Sequence, residues 1–232
     1  LRRNDRSDLY MKGIATINAK NPTVLSPALL TVSGDILLKN GDLEAAEAMF
    51  KHLVERYSDS SFSDSGTVGM GLIALARKKP DEALRIFEDA LVNIPGMSRY
   101  KEATLGKLEA LVELEKYEDA IKLALSTVGD KMFRGQPAAD AYMLLAKAYR
   151  KQAAKASGAE GTELLKKAHG TYQRVYVAYQ GFPDVCAEAY WQAYETAKEL
   201  GEETLAADTL KALREHPKLT NTKAAKKAAG TN

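Results

Sequence analysis

The sequence predicts an all-α array of helix pairs, about five of them, preceded by half a pair. Three observations predict it. A small residue is followed four and seven positions later by further buried-type residues in Ala46-Phe50-Leu53, Ala83-Phe87-Ala90, Ala120-Ala124-Thr127, Ala168-Tyr172-Val175 and Ala206-Leu210-Leu213, with a looser Tyr10-Ile14-Ile17 ahead of them. That spacing places three side chains on one stripe of a helix. The first residues of the six stripes step by 36, 37, 37, 48 and 38 residues, and a near-fixed period in this range marks helical units that bury apolar surface against their neighbours. Finally, each of the later stripes follows an apolar helical segment and a turn, so it reads as the second helix of a pair.

The elements follow in order. Tyr10, Ile14 and Ile17 read as a lone second helix whose apolar face wants a neighbour. In the first full pair, Pro27 to Lys39 carries Leu30, Gly34, Leu37 and Leu38 before a Gly41-Asp42 break. In the second, Val68, Met70, Leu72 and Leu75 precede Lys79-Pro80, where proline suits the first turn of the next helix. Leu105, Leu108, Leu111 and Leu114 make the first helix of the third pair. The fourth, about 137–181, is enlarged. Its 48-residue step adds eleven residues, about three helical turns, near Ser157, Gly158 and Gly161, and reads as two lengthened helices joined by a glycine turn. In the fifth, Tyr190 to Leu200 is closed by Gly201, a typical helix stop. Pro22, Pro95, Pro183 and Pro217 fall after second helices, where they break nothing. Gly34 and Gly71 stand twelve residues before their stripes. Glycine inside a helix costs about 1 kcal/mol against alanine, so the pair points to close helix approach. The array is expected over 1–217. The Lys/Ala-rich 218–232 is too short for an isolated helix and is expected to be disordered or loosely docked.

Composition removes several functions. The chain has 232 residues and a formal net charge of +2, but Lys218, Lys223, Lys226 and Lys227 lie in an acid-free tail, so the body sits near −2. A nucleic-acid binder wants a basic stripe on its folded part, and no nucleic acid is expected as partner. No apolar run reaches the roughly 20 residues of a membrane-spanning helix. Leu1 in place of methionine, with no apolar leader, reads as a processed or truncated chain. The single Cys186 excludes an internal disulfide and reads as a small buried apolar residue.

No catalytic or metal constellation is legible, so neither catalytic residues, metal nor cofactor are expected. His52, His169 and His216 are far from one another and from Cys186, without the spacing of a local metal pair. Gly66-Thr67-Val68-Gly69-Met70-Gly71 superficially suggests a phosphate loop, but no strand precedes it, and helix packing is the better reading. Seven of the eleven tyrosines lie between 142 and 194. They are expected to fill the wider interface of the enlarged pair, with hydroxyls at its rim, or to offer a rigid surface to a peptide.

The small residue midway along the first helix, the turns "GDLEAA", "KPDEAL" and "KYEDAI", the Ala-x3-Phe-x2-Ala stripe and the closing proline together resemble the tetratricopeptide repeat, over about residues 7–217. Thr127 and Tyr194 depart from its small-residue pattern. The resemblance implies a right-handed superhelix of antiparallel helix pairs, non-enzymatic, holding a protein or peptide in a concave groove lined by first helices. Counted by offset, that groove includes Asp35 and Lys39, Leu72, Glu109 and Glu113, then Lys147, Arg150 and Lys151, and lastly Trp191 and Glu195. It grades from apolar through acidic to basic. Thr31, Asp35, Val68 and Glu109 replace the cations that chaperone-binding members use to clamp a terminal carboxylate, so that activity is not expected. Period and punctuation also resemble bacterial envelope repeat proteins of the Tol–Pal-associated and outer-membrane-assembly lipoprotein types, which implies a periplasmic scaffold, with a cytoplasmic one as alternative. A second functional reading is a homo-oligomeric assembly element, packing through the N-terminal half repeat against another copy or upstream chain.

Overall fold

A computed structural model describes the backbone of residues 7–58, 60 and 62–231, and side chains from Met11 onward apart from Asp59, Ser61 and Asn232. The chain is all-α, consistent with a tetratricopeptide solenoid. It divides into two compact units between Ala110 and Leu111, within one helix.

The first unit holds α1 (Ser7–Asn18), a 3-10 turn (Pro22–Val24), α2 (Pro27–Lys39), α3 (Leu43–Arg56), α4 (Ser63–Ala76), α5 (Pro80–Asn93) and most of α6 (Tyr100–Glu113). Consecutive helices pack, α2 on α3, α3 on α4 and α4 on α5. The stripes are the core: Ala46, Phe50, Leu53, Ala83, Phe87 and Ala90 are all fully buried. Glycines make room for the two rings. A Cβ on Gly34 of α2 would lie 2.7 Å from the Phe50 ring, and one on Gly69 of α4 only 2.4 Å. Phe87 is held likewise, with Gly71 and Gly106 Cβ positions at 2.6 and 2.3 Å. The glycine-rich segment 66–71 therefore lies wholly on α4 as a packing surface. Among the described side chains of α1 Ala15 is fully buried, whereas Ile17 of the expected apolar face is 66% exposed; the Tyr10 side chain lies outside the described residues.

The second unit holds the end of α6, then α7 (Tyr117–Gly129), α8 (Gln136–Ala153), α9 (Gly158–Ala178), α10 (Pro183–Glu199), α11 (Glu203–Glu215) and α12 (Lys223–Ala229). The enlarged pair is α8 and α9, of 18 and 21 residues against 13 in α7 and α11, joined by a turn with Gly158 at φ +60°. The tyrosines fill its interfaces. Tyr176 stacks on Tyr190 with centroids 3.9 Å apart, and Tyr142 meets Tyr179 at 6.0 Å. Thr127, polar within a buried stripe, is satisfied by donating 2.8 Å to the Leu123 carbonyl.

The segment expected as a disordered or loosely docked tail is ordered here. Thr222 caps α12 by accepting from the Ala225 amide at 3.2 Å, and Leu219, Ala224, Ala225 and Ala228 are buried. Its length is below that of a helix stable alone, and tertiary contact supplies the stability that length does not.

Helix ends show a second periodicity. Gly41 (φ +81°), Lys78 (+59°), Glu115 (+62°) and Gly201 (+74°) each adopt the left-handed conformation five residues before a stripe. The next amide reaches back into the helix each time, as Lys79 N does to Ala74 O at 2.9 Å, closing the helix as a glycine normally does. A side chain with a Cβ costs roughly 1–2 kcal/mol in this conformation. Lys78→Gly is therefore expected to raise stability by about 1 kcal/mol despite glycine's unfolded-state entropy, and a urea midpoint at or below that of the parent chain would contradict it.

Candidate binding site

Four of the sequence-predicted groove residues come together in the second unit. Glu113, at the end of α6, accepts from Lys147 Nζ at 2.7 Å and from Lys151 Nζ at 3.0 Å, one helical turn apart on α8. Burial alone would raise the Glu113 carboxyl, but the two ammonium groups outweigh it and its pKa is lowered. On the same helix Arg150 meets Glu199 of α10 through Nε and Nη, at 2.6–3.1 Å, and donates to Gln192 Oε1 at 2.5 Å. Gln192 in turn donates to Glu188 at 2.7 Å. Glu195 faces the field of Arg150.

Of these, Lys147, Arg150, Lys151, Glu188, Gln192 and Glu199 rim a cavity of about 780 Å³ between α8, α9 and α10. Its apolar lining is Met143, Leu144, Ala153, Ala154, Leu165 and the Tyr172 ring. Tyr172 is 2% exposed, and burial drives its phenol up to about 12, so it stays a neutral hydrogen-bonding group. The basic end of the expected groove is thus corrected: its three cations are already paired within the unit, and the surface offered is an apolar basin with a zwitterionic rim.

The remaining predicted residues lie elsewhere. In the first unit Asp35 is half-buried and ion-paired to Arg99 at 3.0 Å, Arg99 also clasping Glu102. Burial raises the Asp35 carboxyl despite that partner. Lys39 is exposed at the end of α2, while Leu72 on α4 and Glu109 on α6 are half-buried. Trp191 is not an open groove residue. It is 4% exposed, packed against Tyr194 with centroids 5.2 Å apart and covered by Lys227 of α12 at 4.2 Å. Counting groove positions along first helices missed Leu165 and Tyr172 because they belong to a second helix. Their seven-residue spacing on an unusually long helix was the available signal.

Among the described residues, two buried side chains keep a polar atom without a partner: Asp64 Oδ1, whose Oδ2 accepts from Ser98 at 2.8 Å and the Arg99 amide at 3.1 Å, and His169 Nε2. Burial lowers the His169 pKa, which keeps its imidazole neutral. Among the described residues no cluster of three or more His, Cys, Asp or Glu side chains could hold a metal. No helix there is long and apolar enough to cross a membrane.

With this geometry described, comparison with known families matches residues 31–98 and 68–129 to the tetratricopeptide repeat. This stretch is similar to a tetratricopeptide repeat array. It takes in most of α2, then α3 to α7, and both glycine-clasped phenylalanines. Tetratricopeptide repeats generally mediate protein–protein interaction and are typically non-enzymatic scaffolds. A search of curated proteins finds no significant relative of the chain.

Proposed function

We propose that this chain is a non-enzymatic scaffold whose second unit holds a segment of a protein partner in the α8–α9–α10 cavity. The observation that carries this is the cavity itself: an apolar basin large enough for two or three side chains, rimmed by charges that are mutually paired. Pockets of several hundred Å³ with an apolar lining and a few placed polar groups are typical ligand sites. A rim of satisfied ion pairs gives orientation and specificity rather than bulk attraction. The occupant is therefore an amphipathic segment that anchors apolar side chains and sets polar groups against the Lys147, Lys151 and Glu188 edges.

The test is a selection from a random-peptide display library on the full chain. Selected peptides should carry paired apolar anchors and lose at least tenfold in affinity for Leu144→Lys and Leu165→Lys. Peptides indifferent to both changes would move the site elsewhere. A periplasmic envelope setting is part of the proposal and rests on the resemblance of period and punctuation. Fractionation of cells producing the full-length protein tests it, and a wholly cytoplasmic signal would overturn it.

The alternative of self-assembly has one observation in its favour. Ile17, Val24, Leu29 and Val32, all in the first unit, are 66, 73, 48 and 46% exposed. Light scattering should then show a mass that rises with concentration and falls for Ile17→Asp with Val24→Asp. A concentration-independent monomer would remove this reading.

A further inference from the structure

The only tryptophan of the chain lies under α12, and several features make that covering unlike the other packings of the unit. α12 has seven residues, below the roughly 12–15 at which a helix persists alone in water, so it is helical only while docked. Its buried side chains within the helix are Ala224, Ala225 and Ala228, all small. One larger apolar anchor, Leu219, is fully buried three residues before the Thr222 cap, and the other contacts are polar. Thr222 caps it, Arg214 donates to the Ala228 carbonyl at 2.9 Å and to that of Thr231, and Lys227 sits over the indole. Its placement is also unusual. In the first unit the first helix α4 packs far more on the preceding second helix α3 than on the preceding first helix α2. α12 instead packs more on the first helix α10 than on the second helix α11. It leans over the first-helix face, the side on which Trp191 and Glu195 were expected to be open.

We propose that the α10–α11 face around Trp191 is a second docking site, separate from the α8–α9–α10 cavity, for a helix with small residues at i, i+1 and i+4 and a Lys or Arg at i+3. In this chain α12 occupies it in cis, with Ala224, Ala225, Ala228 and Lys227 at those places. The cation is specified by the indole face, which attracts an ammonium or guanidinium group, and the small residues by the close approach of the two helices. A partner helix two or three turns longer, presenting the same face, makes the same contacts and carries its own helical stability, so it displaces α12. The apparent affinity for it is reduced by the fraction of time that α12 is undocked.

The experiment uses Trp191 emission and a labelled peptide of residues 219–230. Ala228→Asp places a carboxylate in a fully buried position, so in the full chain it should release α12 and shift the emission to the red. The peptide should then bind Ala228→Asp at least tenfold more tightly than it binds the parent chain. A peptide carrying Lys227→Ala should bind several-fold more weakly. Leu165→Lys, in the other cavity, should leave peptide binding unchanged, which keeps the two sites distinguishable. Unchanged emission in a helical Ala228→Asp chain, equal peptide affinity for both chains, or no binding to a chain with exposed Trp191 would each overturn the proposal. If Ala228→Asp melts the array, Arg214→Gln with Thr222→Ala takes its place, loosening α12 without altering α10. Should that pair also melt it, α12 is an integral part of the core and the proposal falls.

Discussion

Phe50→Ala is expected to lower the unfolding free energy of the array by about 3–5 kcal/mol, the usual cost of deleting a buried phenylalanine ring. The reason is local. The ring is fully buried between Gly34 and Gly69, which have no side chains to move into the space it leaves. The complementary change, Gly69→Ala, is expected to destabilise although alanine is the better helix former. Alanine gains about 1 kcal/mol of helix propensity, whereas its Cβ would sit 2.4 Å from the phenylalanine ring, and overpacking of this kind costs about 1–3 kcal/mol. The two losses should not add. In the double variant the alanine methyl enters space that the ring has vacated, so the coupling should be stabilising by about 1–2 kcal/mol. Urea denaturation of the four proteins gives the cycle; strict additivity would show that the glycine and the ring do not share a volume. The sequence of the third repeat inverts these sizes, with Leu108 at the glycine place and Ala124 at the phenylalanine place.

Asp140→Asn is expected to stabilise the chain at pH 7 and to do nothing at pH 3.5. Asp140 is half-buried on α8, and burial pushes its carboxyl up to about 6 from an ordinary 3.8. Below about pH 4 the folded and unfolded chains both hold the proton and no difference arises. From pH 4 to 6 the unfolded chain ionises first, so stability falls as pH rises, and above 6 the full penalty applies. Two pKa units correspond to about 3 kcal/mol; partial solvent access reduces this to about 1–2 kcal/mol. The variant should gain that amount at pH 7 by urea denaturation. An equal gain at pH 3.5, or none at pH 7, would contradict the assignment. His169 acts in the opposite direction. Its pKa is lowered by burial, so stability is lost as pH falls through the ordinary histidine value of about 6.5 and the unfolded chain takes up the proton. His169→Gln should flatten the acid limb of the profile.

Much of the fold was legible because it is local. The five later stripes, the glycine turn of the enlarged pair and the helix stop at Gly201 all depend on residues within one or two turns of each other; the looser Tyr10-Ile14-Ile17 face does not hold, since Ile17 is exposed. Gly34 and Gly71 could be read as close approaches for the same reason, since both recur at one offset. Gly69 and Gly106 repeat with the same period of 37 residues; packing is legible for Gly69 within the 66–71 segment, but that both face a ring on the preceding helix cannot be read from one helix.

The binding site was legible only in part. Lys147, Arg150 and Lys151 could be placed on one helix by spacing, but their partners Glu113 and Glu199 come from other helices. An isolated reading therefore gave a basic surface where the folded unit has a neutral rim. Trp191 and α12 make the same point: composition and length mark the tail as disordered or loosely docked, and only packing puts Lys227 over the indole.

The sequence by itself determined that this is an array of helix pairs, where the turns within the pairs fall, and which pair is enlarged; it placed the start of the fifth pair at Tyr190, seven residues inside α10. Periodicity, turn residues and buried stripes act over short distances and are written directly in residue order. The tertiary structure decided which charges are free, which aromatic residue is covered, and where an apolar basin opens. Ion pairing, desolvation and cavity shape depend on side chains from three or four helices at once, and no spacing along one of them encodes the sum.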